Sequence, residues 1–441
     1  MPFQALRFIH ASNAYVDHQL EQLGALSECH RAIVEEATST AFEHVVSACI
    51  ERQAHFLLLA GNTFDKSDQS LRAHADLVNG FIRLDQHGIQ VFVVAGETDP
   101  LTAWRTLDDL PQNVTLFSPD SDEPVAVLRD GNVIASIAAA VIRDEKVGHI
   151  QSITRSGELS RNGAARTIPF SIGLATIASE RMGVTVPDDG DEHNESEPSD
   201  PGLSGQVRDA LAKCSVDYLA LRGPEKRQTI TLKKRIAHNP GGTQGQNPRQ
   251  TGPHGCTLVE VATDGSALCT FIPTAPVRWK QSAVHVGAKM SQDELAESMQ
   301  AAHQRCRPEP TEQLWLINWT IRGSGRLFDL LRDESVRSKI VALYELDSPL
   351  PPDLSQMHHF RFVPQVNPAD SDLEGNEFAI QYFERLNLAE KATRKSLQQC
   401  LEDAGLPEGP WLTRLRSLID EVDHEAIIAH ARQNGMTWFT P

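Results

Sequence analysis

Phe56-Leu-Leu-Leu-Ala-Gly-Asn-Thr-Phe-Asp65 and Gly88-Ile-Gln-Val-Phe-Val-Val-Ala-Gly-Glu-Thr-Asp99 decide the fold. Each holds a continuous apolar run that stops at a glycine followed by polar residues. Runs without apolar–polar alternation are what strands covered on both faces look like. Between them, 70–87 carries helical periodicity, as 32–53 does upstream, and 6–9 gives an earlier short strand. Strand, loop and helix repeated in this order predict an α/β sheet whose chemistry lies on the loops after the strand C-termini.

Further strands are expected at 125–128, 133–138, 171–177, 216–221, 230–236, 256–261 and 269–273, with a Gly-rich turn at 240–245. A composition change at Val277-Arg-Trp279 marks a boundary. Beyond it, strand (283–286), helix (292–303), strand (314–321), helix (326–331) and strand (339–344) read as a small α+β domain. Helical periodicity fills 378–401 and 411–430. The expected division is therefore 1–279, 280–365 and a helical 366–441, with an acidic, disordered insert at 183–204.

Composition narrows the function classes. In 441 residues, 40% are hydrophobic and 23% charged, as in ordinary globular proteins. That excludes disordered, collagen-like and small disulfide-stapled chains. Net charge is −18, and about −11 without the run PDDGDEHNESEPSD at 187–200. Such a field repels nucleic acid and anionic lipid, so non-specific DNA coating is not expected. Seven scattered cysteines without a C-x-x-C read as reduced thiols rather than a disulfide framework or zinc site. No run approaches the roughly 18 apolar residues of a membrane helix, and the N-terminal stretch lacks a signal peptide's pattern. A cytoplasmic protein with no membrane association is expected.

Four loops at strand ends share an unusual vocabulary: His10-Ala-Ser-Asn-Ala-Tyr-Val-Asp17, Gly61-Asn-Thr-Phe-Asp65, Gly96-Glu-Thr-Asp99 and Leu221-Arg-Gly-Pro-Glu225. Singly, each is ordinary turn chemistry. In order, they resemble the motifs of the calcineurin-like metallophosphoesterase superfamily: D-x-H, G-D-x-x-D, G-N-H-D, a lone His and G-H-x-H. Within it the chain looks like SbcD-type exonuclease subunits, especially the YhaO-like branch. Arg7-Phe-Ile-His-Ala-Ser12, Ser70-Leu-Arg-Ala73, Asp217-Tyr-Leu-Ala-Leu221 and Thr251-Gly-Pro-His-Gly-Cys256 carry that likeness, together with the two strands quoted first. The resemblance is specific over roughly 5–279 and rests on domain order beyond. It implies a four-layer α-β-β-α sandwich with a small α+β capping domain and C-terminal helices.

The departures matter as much as the match. Two-metal phosphoesterases need anionic and imidazole ligands around an activated water. At the positions that match, the first Asp is Asn13, the first His Tyr15 and the bridging Asp Asn62. The third motif's Asn is Glu97 and its acid-providing His is Thr98. The lone His falls at Thr176 or at Ala175, and the closing G-H-x-H contributes Gly223 and Glu225. Asp17, Asp65 and Asp99 keep the frame. Without a bridging carboxylate the repulsion between two dications is uncompensated. A pseudo-enzyme without cofactors is the first expectation. The alternative is a site rebuilt around Glu97 and Glu225, with Asn13 and Asn62 as oxygen donors, for magnesium, calcium or manganese. Against it stands pairing of Glu225 with Arg222 or Arg227.

Partners follow from charge and periodicity. Six basic residues lie within 225–250, namely Lys226, Arg227, Lys233, Lys234, Arg235 and Arg249. With Arg222 they are the candidate contacts for a phosphate backbone. A solvated hairpin explains them equally. Leu412, Leu415, Leu418, Ile419 and Val422 form one apolar helical face. Such a face packs on its own protein or, as the resemblance implies, on the coiled coil of an SbcC-type ATPase. Three readings stand: a scaffolding subunit in DNA repair or processing, a metal-dependent phosphodiesterase or exonuclease, and a regulatory subunit paired with an active paralogue. A dimer, with itself or with that paralogue, fits the resemblance. Gly323-Ser-Gly325-Arg326 lacks the third glycine of a phosphate loop, and no H-E-x-x-H occurs.

Overall fold

The order of elements follows from the buried runs. β1 (Leu6–Ala11) leads to α1 (Glu28–Glu35) and α2 (Ala37–Glu51), then β2 (Phe56–Ala60), α3 (Leu71–Gln86), β3 (Gln90–Val94) and a short α4 (Leu101–Trp104). Next come β4 (Val114–Phe117), β5 (Val125–Arg129), β6 (Asn132–Arg143), β7 (Lys146–Gly148), β8 (Ser171–Ile177) and α5 (Pro201–Lys213). β9 (Tyr218–Arg222), β10 (Gln228–Leu232), β11 (Arg235–Asn239), β12 (Gly255–Val261), β13 (Ala267–Pro273) and β14 (Val277–Val286) follow. The chain continues with α6 (Gln292–His303), β15 (Leu314–Gly323), α7 (Arg326–Leu330), α8 (Glu334–Leu346) and β16 (Ser355–Pro364).

This computed structural model describes residues 6–23, 26–68, 70–107, 109–117, 124–129, 131–143, 146–148, 170–177, 201–214, 216–287, 289–348 and 350–364, and a few positions beyond. The expected acidic insert lies outside the described residues up to 200, and α5 begins at Pro201. The expected helices of 366–441 fall almost wholly outside them too. Among the described residues no helix is long and apolar enough to cross a membrane.

Two sheets face each other. The first runs β13-β12-β1-β2-β3-β4, with β1 to β4 parallel and β12 and β13 antiparallel. The second runs β10-β11-β9-β8-β6-β5, with β7 on β6 and a parallel centre. Because side chains alternate along a strand, each sheet buries two faces. Ile9, Leu57, Leu59 and Val91 pack on Phe42 and Val46 of α2 and Leu77 and Phe81 of α3. Their neighbours Phe8, Leu58, Phe92 and Val94 meet Ile137, Leu174, Tyr218 and Ala220 of the second sheet. Leu219 and Leu221 face outward onto Ala210 and Leu211 of α5. The result is the expected α-β-β-α sandwich, in which each buried Leu, Val or Phe contributes about 1.5–3 kcal/mol. The inter-sheet core also encloses polar groups. His10 Nδ1 meets Tyr218 Oη at 3.0 Å, and His238 sits between the Thr229 and Thr257 hydroxyls, both at 2.8 Å. Burial pushes the His238 imidazole down to about 3, so it is neutral at physiological pH.

Two expectations need correction. The strand expected at 230–236 is a hairpin, β10 and β11, that turns at Lys233 in left-handed backbone (φ 59°). The strand expected at 339–344 belongs to α8, where Ile340 and Tyr344, four residues apart, make the buried face. Asp333 caps that helix by accepting from Ser335 N. A short apolar run cannot by itself tell a buried strand from one turn of a buried helix.

The chain forms two compact units: Met1–Lys280 with Pro308–Leu316 and Asp353–Gln356, and Gln281–Arg307 with Ile317–Pro352 and Met357–Pro441. β14 runs unbroken through the composition change at 277–279. In the second unit α6 carries a Ser291/Glu294 capping box. Its His303 takes hydrogen bonds with Ser282 Oγ and Tyr344 Oη, both at 2.8 Å, while Trp319 donates to His358. In the first unit a buried ion pair ties 308–316 to the sandwich. Arg278 Nη2 lies 2.7 Å from Glu312 Oε1, with side chains 8% and 1% exposed. The Arg278 guanidinium also stands over the Trp315 ring, whose indole donates to Glu312. Breaking one side of such a pair leaves a buried charge. Arg278→Met is expected to lower stability by about 3 kcal/mol in urea unfolding, and Arg278→Met with Glu312→Gln to recover most of it.

Candidate functional site

The strand C-termini of both sheets deliver the four loops to one place. Backbone bonds lace the first loop to the second: Asn13 N to Gly61 O (3.1 Å), Tyr15 N to Asn62 O (3.1 Å) and Val16 N to Thr63 O (2.8 Å). This lacing holds Asn13, Tyr15 and Asn62 in left-handed backbone, with φ of 49°, 44° and 53°. Asn tolerates that region. A tyrosine does not favour it, so the flanking bonds impose it there.

A chain of side-chain amides crosses the site, and its ends fix its direction. The Gly223 carbonyl can only accept, so the Asn13 group 3.1 Å from it is Nδ2. At the other end the Glu97 and Thr98 backbone N–H groups can only donate, so the Asn62 atom 3.2 and 3.4 Å from them is Oδ1. Asn62 Nδ2 then donates to Asn13 Oδ1 (3.1 Å) and Tyr15 Oη (2.9 Å). Reversing either amide would face donor to donor or acceptor to acceptor. The Asn62 amide thus turns its N–H pair toward Asn13 and Tyr15.

Asp99 organises the backbone beneath. Its fully buried carboxylate accepts from Asn62 N (2.8 Å), Thr63 N (2.9 Å), Gly96 N (2.7 Å) and Trp104 Nε1 (3.1 Å). Burial pushes its acid upward, and the N–H bonds oppose that shift. Gly96 cannot be replaced, because a Cβ there would come within 2.4 Å of Asn62 N.

The fourth loop is held by Asn239, which the sequence reading did not single out. Its Oδ1 accepts from Gly223 N (3.2 Å) and its Nδ2 donates to Pro224 O (2.7 Å) and Lys226 O (3.0 Å). The available signal was its place at the end of a strand, just before Pro240-Gly-Gly. Glu225 is only half-buried as a residue, but its Oε2 is shut off from solvent with no hydrogen-bond partner. Gly242 walls it in, since a Cβ there would stand 2.5 Å from Oε2. Desolvation raises this acid to about 7, against the opposing pull of Arg222. Burial and Glu225 together push Tyr15 up to about 12, so it stays a phenol.

Arg222, taken in the sequence as a surface anion contact, is 3% exposed. It shares the inward face of β9 with Tyr218 and Ala220, and its Nη2 lies 3.8 Å from Glu97 Oε1. Thr98 Oγ1 donates to Phe64 O (2.9 Å), which gives it a structural role. Thr176 lies on β8 in register with Arg222. Of the retained frame, Asp17 accepts from Ser70, the N-cap of α3, and Asp65 forms a turn with Ser67 (2.8 Å).

The basic stretch does not gather into one surface. Arg227 lies over the Phe271 ring and reaches Cys269 O, and Arg235 caps the end of α5 through Leu211 O (3.1 Å) and Cys214 O (2.6 Å). Lys234 pairs with Asp264 at 3.6 Å, while Lys226, Lys233 and Arg249 lie on three separate loops or turns.

Among the described residues no group of three or more His, Cys, Asp or Glu side chains converges as a metal site. Asn13, Asn62, Tyr15, Thr98 and Gly223 bring no negative charge, and Glu97 faces an arginine. This donor set does not fit two dications, whose mutual repulsion needs anionic ligands between them.

No family model matches the sequence. The chain is 30% identical over 283 residues to the uncharacterized metallophosphoesterase YhaO of Bacillus subtilis (strain 168), across 64% of this chain. The likeness is thus to a protein described as a metallophosphoesterase. This chain spans 63% of the length of that relative. Two solved structures are also similar. One is a dimetal phosphatase from Danio rerio, with 10% identity, TM-score 0.33, and coverage of 62% of this chain and 99% of that one. The other is vacuolar protein sorting 29 from Cryptosporidium parvum, with 12% identity, TM-score 0.27, and coverage of 62% and 98%. Neither contributes to the functional reading at these scores.

Two expectations follow from the geometry. Asp99→Asn sets an amide donor against backbone donors and should cost at least about 2 kcal/mol in urea unfolding. Glu225, raised above its ordinary 4.5 to about 7, binds more protons folded than unfolded. It therefore lowers stability as pH rises through that interval. Glu225→Gln is expected to remove on the order of 2 kcal/mol of the stability lost between pH 5 and pH 8.

Proposed function

We propose that this metallophosphoesterase relative is a non-catalytic, SbcD-like subunit that has given up two-metal chemistry and serves as a binding or scaffolding component of a DNA-processing complex. The orientation of the Asn62 amide carries the reading. A group that donates hydrogen bonds into the place of a bridging carboxylate repels a cation there, and of the nearby acids Asp99 is taken up by N–H donors and Glu97 faces Arg222. The laced loops and the buried Asp99 meanwhile keep the loop framework intact, which favours a retained surface over a retained reaction.

The partner in this reading is a coiled-coil ATPase of the SbcC type. DNA is the weaker partner, because Arg227 and Arg235 make internal contacts and the chain carries −18 overall. The same observation favours, as a second reading, a regulatory subunit that pairs with an active paralogue. An enzyme rebuilt around Glu97 and Glu225 is disfavoured, since Arg222 already faces Glu97.

The test is hydrolysis of bis(p-nitrophenyl) phosphate and of linear duplex DNA with manganese or magnesium. Turnover is expected to match that of Asn62→Ala and Glu225→Gln at background level. Metal-dependent turnover that either substitution abolishes would overturn the proposal.

A further inference from the structure

The first sheet ends in a long, unguarded edge. β13 pairs with β12 without a break in register, from Gly255 opposite Pro273 to Val261 opposite Ala267. The bonds Thr274 N to His254 O (3.1 Å) and Ala262 N to Ser266 O (2.8 Å) bracket this ladder. Hydrogen-bonded and non-hydrogen-bonded pairs alternate in antiparallel strands, so Leu268, Thr270 and Ile272 turn their N–H and C=O groups toward β12. Ala267, Cys269 and Phe271 turn theirs away, to the open edge. Among the described residues, the contact to these groups is that of Arg227, whose Nη2 lies 3.5 Å from Cys269 O. A carbonyl oxygen so approached still has a second lone pair. Sheet edges are ordinarily blunted by lysine, proline, inward-pointing charges or bulges. From Ala267 to Ile272 this edge has none of them. The helix layer leaves it open as well. Of β13, Ile272 packs against that layer, whereas Thr270 is exposed and Leu268 is 63% exposed.

We propose that β13 pairs with the β13 of a second copy of this chain, antiparallel about a two-fold axis through Thr270, so that the first sheets of two chains join into one. The edge calls for an uncharged, extended strand with apolar side chains on both faces, and every copy of the chain displays one. In this register the strand is complementary to itself. Cys269 of each copy stands opposite Phe271 of the other, and both turn their backbone groups to the edge, so each such pair exchanges two hydrogen bonds. Leu268 comes beside Ile272 of the other copy, which withdraws the exposed leucine from water. Neutral strand meets neutral strand, so no like charges face each other in the ladder although each chain carries −18 overall. An isologous contact of this kind closes at two copies, because each edge is used up by the other. The pairing goes beyond the proposed function and does not depend on whether the four loops bind metal.

The test is sedimentation velocity of the full-length protein at micromolar concentration, with substitutions on the exposed face of β13. Wild type should sediment as a dimer. Thr270→Lys sets two like charges opposite each other on the axis and should sediment as a monomer. The two copies of Thr270 form a non-hydrogen-bonded pair with Cα atoms about 4.5 Å apart, inside the range a disulfide spans. Thr270→Cys should therefore cross-link into a covalent dimer under mild oxidation, reversibly with dithiothreitol. Leu268→Cys should not, because it faces Ile272 and not itself. A monomeric wild type would overturn the inference and leave the proposed function standing. So would a dimer that Thr270→Lys leaves intact, since the contact would then lie elsewhere. If Thr270→Lys fails to fold, the cross-link decides: a Thr270→Cys yield no higher than that of Leu268→Cys overturns the pairing.

Discussion

The structure depends on how four loops from two separate sheets are held at one point. Here the bond from Asn62 Nδ2 to Asn13 Oδ1 is the central link. It continues on one side through Asn13 to the Gly223 carbonyl of the second sheet, and on the other to the third loop. In the superfamily that the sequence resembles, metal ions would make that connection. A neutral amide chain, a buried aspartate below it and an arginine beside it make the connection here. Each is short-range and directional, so the loops keep a defined geometry without a strong central charge.

The electrostatics of the loops fit the proposed function. A site designed to hold dications concentrates negative charge on one point, whereas here each carboxylate is compensated separately. Asp99 is paid back in hydrogen bonds, Glu97 in an ion pair, and Glu225 partly by accepting a proton near neutrality. The inter-sheet histidines are held neutral by burial, so the core adds no charge of its own toward the loops. The bulky Tyr15 in left-handed backbone shows that the loop path is fixed by its lacing and not by local preference.

Much of the sandwich was legible because buried strands announce themselves as apolar runs, and β2, β3 and β8 match theirs within a residue. The places of the four loops were legible too, since strand ends deliver them in order. The roles were not. Arg222 looked like an anion contact because a sequence does not display which side of a strand end faces inward. The basic stretch looked like a surface patch because Phe271 and the end of α5, which take Arg227 and Arg235, are far away in sequence. Asn239 escaped notice because capping a loop through three carbonyl and amide contacts leaves no pattern beyond one polar residue. The helix at 334–346 was obscured by its run of Ile340-Val-Ala-Leu-Tyr344, which has strand composition and helical spacing at once.

In the proposed function, hydrogen bonds rather than metal ions hold these loops together. Electron paramagnetic resonance of manganese(II) added to metal-stripped protein at pH 8 tests it directly, because the sharp signal of the free ion vanishes on binding. The account predicts that the full free-ion signal survives at equimolar and higher protein. A loss of signal that saturates at one or two ions per chain would contradict it.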